Sequence, residues 1–288
     1  MGLLIIGLCG QSVFLRVPHF HSPGETLHAT DLFSEPGGKG YNQAVAARRA
    51  GAETVFAGAV GEDPDAGLCE ERLVREGIGS RLIRKPGRTA FACILTDDGG
   101  ENRVTVYPGA RLTAGDVGSL EEEFRSAGLL LLTPEIPEEA FAEAVRLAKR
   151  HGVPVVLNPA PFFPWVRRYL ADAWLLTPNR SEACALLGCA ADDMEARIAA
   201  SGLSRLVVTL GADGALCFEN GKSEHIPAPP AKTVDTTGAG DCLNGFLCAL
   251  LLEGMPLSQA VKAAVRAASL SVEHAHVLDG MPYRDEVV

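Results

Sequence analysis

The sequence predicts an α/β protein: a doubly wound, mostly parallel sheet with helices on both faces, and a small antiparallel β lid beside it. Three observations carry that expectation. From about Thr54 onward, short β-branched or leucine-rich runs alternate with helical patterns. The runs are apolar throughout, as strands buried on both faces must be. Two stretches, about 9–36 and 88–109, break the rhythm and show strand-like alternation with no helix between the strands.

In chain order, "TVFAGAV" (54–60) is a core run, and "LLLLT" (129–133) precedes the amphipathic "PEEAFAEAVRLAKRHG" (137–152). "VPVVLN" (153–158) and "AWLLTP" (173–178) follow, then the helical "RSEACALLG" (180–188) and the strand "RLVVTLG" (205–211). Strand and helix alternating in this way give parallel pairing with crossover helices. Within 88–109, "AFACILT" and "NRVTVYP" flank an Asp-Asp-Gly-Gly turn and form a β-hairpin. At the C-terminal end, "EGMP" (253–256) divides two helices, about 239–252 and 257–274, because glycine and proline stop one and restart the next. No repeat, low-complexity tract or linker interrupts the chain. One domain, 1–288, with the lid inserted from about 9–36 and 88–109, is therefore expected.

Of the 288 residues, 47% are hydrophobic and 22% charged, enough apolar material for a large core. The formal charge of −10 argues against nucleic-acid and anionic-membrane partners. The eight cysteines form no CxxC pair and lie mostly in apolar runs, as thiols in a reducing compartment do. No apolar run reaches the roughly 20 residues that span a bilayer. The start "MGLLIIGLCG" has neither a basic segment nor a cleavage site. A soluble, cytoplasmic protein is expected.

Two glycine clusters open helices. In "DTTGAGD", Gly238, Ala239 and Gly240 leave unpaired N–H groups at a helix start, which attract an anion. Asp241 follows in the first turn, close enough to a bound phosphate to take a proton from a neighbouring hydroxyl. The alternative is that Asp235 or a threonine caps the helix and Asp241 complements its dipole; spacing alone leaves both open. In "EPGGKGYNQAVAARRAG", Gly37, Gly38, Lys39 and Gly40 precede Asn42, and the GxxxxGK[ST] pattern is absent. A sharp turn or a ligand cradle satisfies this second cluster equally, with Lys39 and Asn42 one helical turn apart.

Together, in this order and at this separation, the clusters resemble the ribokinase-like (PfkB) family of carbohydrate kinases. "GGKGYNQAVAARRAGAETVFAGAVGEDPDAG" is similar to its first signature and "VDTTGAGDCLNG" to its second. Between them "LNPAP", "LLTPNRSE" and "VVTLGADG" fall where the family carries similar segments. The likeness covers nearly the whole chain.

The resemblance implies a ribokinase-like fold and ATP-dependent transfer of the γ-phosphoryl group to a primary hydroxyl of a ribose-like sugar. Asp241 would be the general base, and the amides around Gly238, Ala239 and Gly240 would hold the charge that develops on the transferring group. Asn179 and Glu182 would order Mg²⁺ through water; a capping box at the same two positions is compatible with that role. Thr209, Gly211 and Gly214 would bind the nucleotide, although the same segment also suits a hairpin. Gly38, Lys39, Asn42 and Glu135 match positions that hold sugar hydroxyls; Glu135 otherwise suits a solvated helix start. Asp235 and the Thr237 carbonyl match half of a monovalent-cation (K⁺) site. Its other half brings His274, His276 and Gly280 where a basic residue, a glycine and a serine are expected. A zinc site on the two histidines lacks further ligands nearby in sequence. The resemblance also implies pairing into a homodimer through the lid, for which Phe14, Leu15 and Phe91 are candidate contacts or else inward-facing residues.

One departure bears on the substrate. Where the family carries Asn-x-Asp after its first strand, this chain has Gly10, Gln11 and Ser12. Losing a carboxylate that accepts two hydroxyl hydrogen bonds costs on the order of 2 kcal/mol, or roughly thirtyfold in affinity. The expectation is that Ser12 faces the sugar, that Gln11 reaches into the pocket, or that Gly10 opens room for a bulkier acceptor such as a nucleoside. Two further readings stay open: a nucleoside kinase, and a non-catalytic sugar- or nucleotide-binding regulator on a kinase scaffold.

Overall fold

A computed structural model describes residues 1–288. Thirteen strands divide between two sheets. The large sheet contains β1 (Gly2–Ile6), β4 (Thr54–Val60), β5 (Gly79–Arg84), β8 (Ala127–Leu132), β9 (Val155–Leu157), β10 (Leu175–Leu176), β11 (Arg205–Thr209), β12 (Ala215–Glu219) and β13 (Lys222–Ile226). The small sheet contains β2 (Gly10–Arg16), β3 (Asp31–Gly37), β6 (Ala90–Thr96) and β7 (Asn102–Tyr107). The helices are α1 (Lys39–Arg49), α2 (Pro64–Glu76), α3 (Ala114–Gly118), α4 (Glu121–Ser126), α5 (Glu138–His151), α6 (Arg180–Leu187), α7 (Met194–Ala200), α8 (Ala239–Leu252), α9 (Leu257–Ser271) and α10 (Arg284–Val287). The α9 helix ends at Ser271, three residues short of the expected limit, because Val272 starts the turns that carry His274 and His276.

The large sheet runs β13-β12-β11-β10-β9-β8-β1-β4-β5, parallel from β5 across to β11 and antiparallel at β12 and β13. Successive residues of β1 separate cleanly: Leu3 and Ile5 join one hydrophobic cluster with α1, α8 and α9, and Leu4 and Ile6 join the other with α5. Leu129 and Leu131 of β8 split from Leu130 and Leu132 in the same way. Both faces are thus core, which is why the strand sequences are continuously apolar. The order reverses between β1 and β8, and ligands of open α/β sheets bind beyond the carboxyl ends of the strands at such a switch point. The start of α1 lies there: a Cβ on Gly7, just after β1, would be 2.8 Å from the Gly40 Cα.

The small sheet runs β3-β2-β6-β7 and covers both predicted lid segments. Its two hairpins pair antiparallel internally, but β2 and β6 are parallel from Gly10↔Ala90 to Arg16↔Thr96, so the lid is mixed and not wholly antiparallel. Each segment leaves the large sheet from a parallel strand and travels the same way, which fixes that direction. Ser12, Phe14, Phe33 and Glu35 share one face of the lid by register, while Gln11 lies on the other.

Candidate active site

The N-terminus of α8 is built by Gly238, which takes φ 79° as N-cap while no side chain caps the helix. A Cβ there would sit 2.3 Å from a Val277 methyl, so glycine is required both by the left-handed backbone and by the close approach. The Asp241 side chain turns away from its own helix start. Its Oδ2 accepts the Asn42 amide and its Oδ1 the Gln43 amide, each at 3.0 Å. The expectation that Asp235 or a threonine caps α8 is not met, since no side chain caps it, while Asp241 does lie in the first turn where it complements the dipole.

Asn42 and Gln43 reach Asp241 because α1 and α8 are in near-backbone contact. A Cβ on Gly245 would lie 2.5 Å from Ala46 Cβ and 2.6 Å from the Gln43 carbonyl oxygen. Behind them runs a buried polar chain. Gln43 donates to Asn158 Oδ1 at 3.1 Å, Asn158 to the Thr177 carbonyl at 2.7 Å, and Thr177 to Asn244 Oδ1 at 2.5 Å. Asn244 closes it onto the Gly240 carbonyl at 2.8 Å. Connected buried networks of this kind hold side chains in one geometry, although Gln43 Oε1 is left without a partner. Gln43, Asn158, Thr177 and Asn244 were not singled out from the sequence; the available signal was an amide or hydroxyl at each point where an apolar or alanine-rich run is interrupted.

A cavity of about 1290 Å³ opens in front of this helix start. Its walls bring together Lys39, Asn179, Glu182, Thr209, Gly211, Gly214, Gly238, Ala239, Gly240 and Asp241, residues from four separate stretches of the chain. Asn179 and Glu182 do form a capping box on α6, with Oδ1 accepting from Glu182 N–H at 2.9 Å and Oε2 from Asn179 N–H at 2.8 Å. Thr209 ends β11 beside Asn179, Gly211 begins a single 3₁₀ turn, and Gly214 ends it. The turn leads into antiparallel β12 and β13, so the hairpin expectation holds, and the same segment lines the cavity. Ala228, Pro229, Val265 and Ala268 add apolar lining to the cavity.

Glu135, just past β8, accepts the Lys39 N–H at 2.8 Å and the Gly40 N–H at 3.4 Å, which ties the switch point to α1. Gly38, the N-cap of α1, takes φ 117° against the Leu8 carbonyl and forms the elbow between lid strand β3 and α1. Burial raises the Asp241 carboxyl above its usual range, more than the Lys39 charge and the two amides lower it. The Asp241 charge in turn raises Lys39. Glu182 is raised by burial. Glu135 is pushed up to about 7, chiefly by burial, against the pull of Lys39. A carboxyl raised in the folded state binds more protons there than in the unfolded chain between its ordinary value of 4.5 and about 7. Its stabilising contribution is complete below 4.5 and disappears as pH rises through about 7. Glu135→Gln should therefore flatten part of the fall in Tm across that window, measured by thermal unfolding in a pH series.

Other expected residues lie off the cavity wall. Asp235 Oδ1 accepts the Thr237 N–H at 2.9 Å, just before α8. His276, at φ 71°, stacks on Phe33 of the lid at 3.5 Å between ring centroids, and His274 takes no part in the stack. A Cβ on Gly280 would lie 3.0 Å from the Ser271 carbonyl oxygen and 3.1 Å from that of His276, so the serine expected there would fit only tightly, and glycine supplies no side-chain oxygen. Ser12 packs its Oγ against Gly37, itself beside Asn42 Oδ1. Phe14 packs inward against Phe33 and His276, while Phe91 and Leu15 lie on the opposite lid face.

Two expectations at the sugar end are corrected. Gly10 opens no space: a Cβ there would be 2.4 Å from the Ala90 carbonyl oxygen and 2.8 Å from its Cβ, because β2 and β6 are pressed together at that point. Gln11 does not reach into the pocket, since strand alternation puts it on the face opposite Ser12. Gly10→Asn should accordingly destabilise the fold by about 1–3 kcal/mol through overpacking, as chemical denaturation would show.

Residues 2–283 match the model of the pfkB family carbohydrate kinases. The chain belongs to that family. It is 33% identical to the ribokinase of Bacillus subtilis over 289 residues, covering 99% of this chain and 97% of the relative. The crystal structure of Thermotoga maritima ribokinase superposes with a TM-score of 0.89 at 32% identity, covering 100% of this chain and 98% of that one. Arabidopsis thaliana ribokinase, solved with ribose and ATP, superposes at 0.87 with 28% identity over 99% and 97% of the two chains. As a pfkB carbohydrate kinase the chain is an ATP-dependent phosphotransferase with a sugar hydroxyl as acceptor. No helix is long and apolar enough to cross a membrane.

Proposed function

We propose that this pfkB kinase phosphorylates the primary hydroxyl of a ribose-like pentose, with Asp241 as general base. The observation that supports this most is the position of Asp241. It stands where the uncapped start of α8, the cavity and the Asn42–Gln43 amides converge. An acceptor hydroxyl beside Asp241 loses its proton to a carboxylate whose basicity burial has raised. The first-turn amides of α8, after Gly238, Ala239 and Gly240, face the transferring phosphoryl group with donors and the positive end of the helix dipole. Lys39 lines the same cavity, close enough to Asp241 to be raised by its charge, and so stands within reach of both the transferring phosphate and the acceptor hydroxyls.

Ala228, Pro229 and Val265 on the cavity wall would hold the base of ATP, and Thr209, Gly211, Gly214 and the start of α8 would hold its phosphates. Oxygen donors suit Mg²⁺, and Glu182 keeps one oxygen unused by its capping bond, so Glu182 and Asn179 fit the ion through water. Mg²⁺ there neutralises phosphate charge. A monovalent cation would be held by Asp235 and the Thr237 carbonyl on one side and by main-chain carbonyls on the other, since Gly280 supplies no side-chain oxygen. Asn42, Glu135, Gly38 and Ser12 line the acceptor side, below a lid inserted into the same unit. Leu32, Phe91 and Tyr107 expose apolar surface on the outer lid face, where a second copy would pack. Sedimentation at micromolar concentration tests that pairing.

The deciding experiment is ADP release with Mg·ATP and K⁺ across pentoses, 2-deoxypentoses, hexoses and nucleosides. Turnover greatest on a free pentose supports the proposal. Preference for a nucleoside replaces the substrate class, and binding without any turnover leaves a regulator on a kinase scaffold.

A further inference from the structure

Glu35 sits on the inward face of lid strand β3, is only 5% exposed, and has no cation as partner. Its carboxylate reaches out of the lid to the C-terminal loop, where Oε1 accepts the Val277 N–H at 2.8 Å and Oε2 the Leu278 N–H at 3.1 Å. Burying a carboxylate for two main-chain contacts is costly, and burial does raise its pKa. The same loop is gripped from the other side by Arg49 at the end of α1, which donates to the carbonyls of Leu278 at 2.6 Å and Met281 at 2.7 Å. Val277, fixed between these grips, presses its methyl groups onto Gly238. Next to it, His276 stacks on Phe33, two residues before Glu35 on the same lid face.

We propose that Glu35 is a positioning residue that couples the lid to the anion-holding start of α8, acting through Val277 on Gly238. The inference rests on the kinase reading above. Glu35 precedes the Gly37–Gly38 elbow, so rotation of the lid about that elbow carries its carboxylate, and with it the Val277 amide. When the lid is down over the acceptor, Val277 is seated and Gly238 is held in its left-handed conformation, with the α8 amides aimed into the cavity. When the lid lifts, that seat loosens and the amides lose their fixed direction. Phosphoryl transfer is thereby favoured only with an acceptor enclosed, which protects ATP from water.

The test uses the whole chain with two variants that leave every catalytic and ligand-binding side chain in place. Glu35→Gln keeps shape but removes the charge, and Val277→Ala keeps the Glu35 bonds but removes the contact on Gly238. Each should lower kcat on the order of tenfold with the KM for ATP within about twofold, because the loss appears in the transition state alone. The double variant should be little worse than either single one, since both break one chain of contacts. Amide hydrogen exchange should quicken at 238–241 in Glu35→Gln as well as at 277–278. Faster exchange confined to 277–278, an unchanged kcat, or additive losses in the double variant would overturn the coupling. If the unaltered protein transfers phosphate to no acceptor, the kinase reading falls, and exchange at 238–241 still decides whether Glu35 reaches α8.

Discussion

Asp241→Asn should lower kcat on the order of a thousandfold while leaving the fold and the KM for ATP nearly unchanged, as expected when a positioned general base is removed. The fold survives for a specific reason. Asp241 accepts from two amides, so a new Asn side chain would point its NH₂ at a donor. Asn42 Oδ1 is buried and without a partner, and a turn of that amide offers the oxygen where the nitrogen was. Gln43 cannot turn so readily, because its Nε2 also serves Asn158. Steady-state kinetics beside thermal unfolding checks both halves. A large drop in Tm with kcat preserved in the folded fraction would instead make Asp241 a structural group.

The second large effect is expected at a residue that touches no ligand. Gly245→Ala would place a methyl group 2.5 Å from Ala46 Cβ, 2.6 Å from the Gln43 carbonyl oxygen and 2.7 Å from the Ala47 nitrogen. Two of those atoms are backbone and cannot rotate aside, so α1 and α8 must part. The cost, about 2 kcal/mol from overpacking, exceeds the roughly 0.5–1 kcal/mol that alanine gains over glycine inside a helix. Parting the helices by about 1 Å also withdraws Asn42 and Gln43 from Asp241, and misplacement on that scale lowers kcat about a hundredfold. Denaturant unfolding and kcat on the same preparation should fall together. Loss of stability with kcat intact would show that Asp241 does not depend on this helix contact.

These residues also show what the sequence disclosed. The core strands were legible because burial on both faces leaves an unbroken apolar signature, as in "LLLL" at 129–132. Asn179 and Glu182 were legible because a capping box is written in four consecutive residues. Asp241 was legible through its position after three small residues, but its partners were not. Gln43 and Asn158 lie 198 and 115 residues from the groups they serve, and nothing local marks an amide as the link in a buried chain. Gly10 misled for a related reason. A missing side chain suggests room only until the neighbouring strand is known, and here the Ala90 backbone of a distant segment fills it.

The parallel seam between β2 and β6 has a consequence for how the lid breathes. It stitches together two hairpins whose four ends return to the body at separate places, after β1, into α1, after β5 and before α3. Neither hairpin can fray alone without stripping the seam's shared hydrogen bonds, so both should open and reclose as one cooperative unit with a single opening free energy. An acceptor that touches only the Ser12 side would then slow amide exchange at Cys93 and Val104 on the far hairpin, without contact to either.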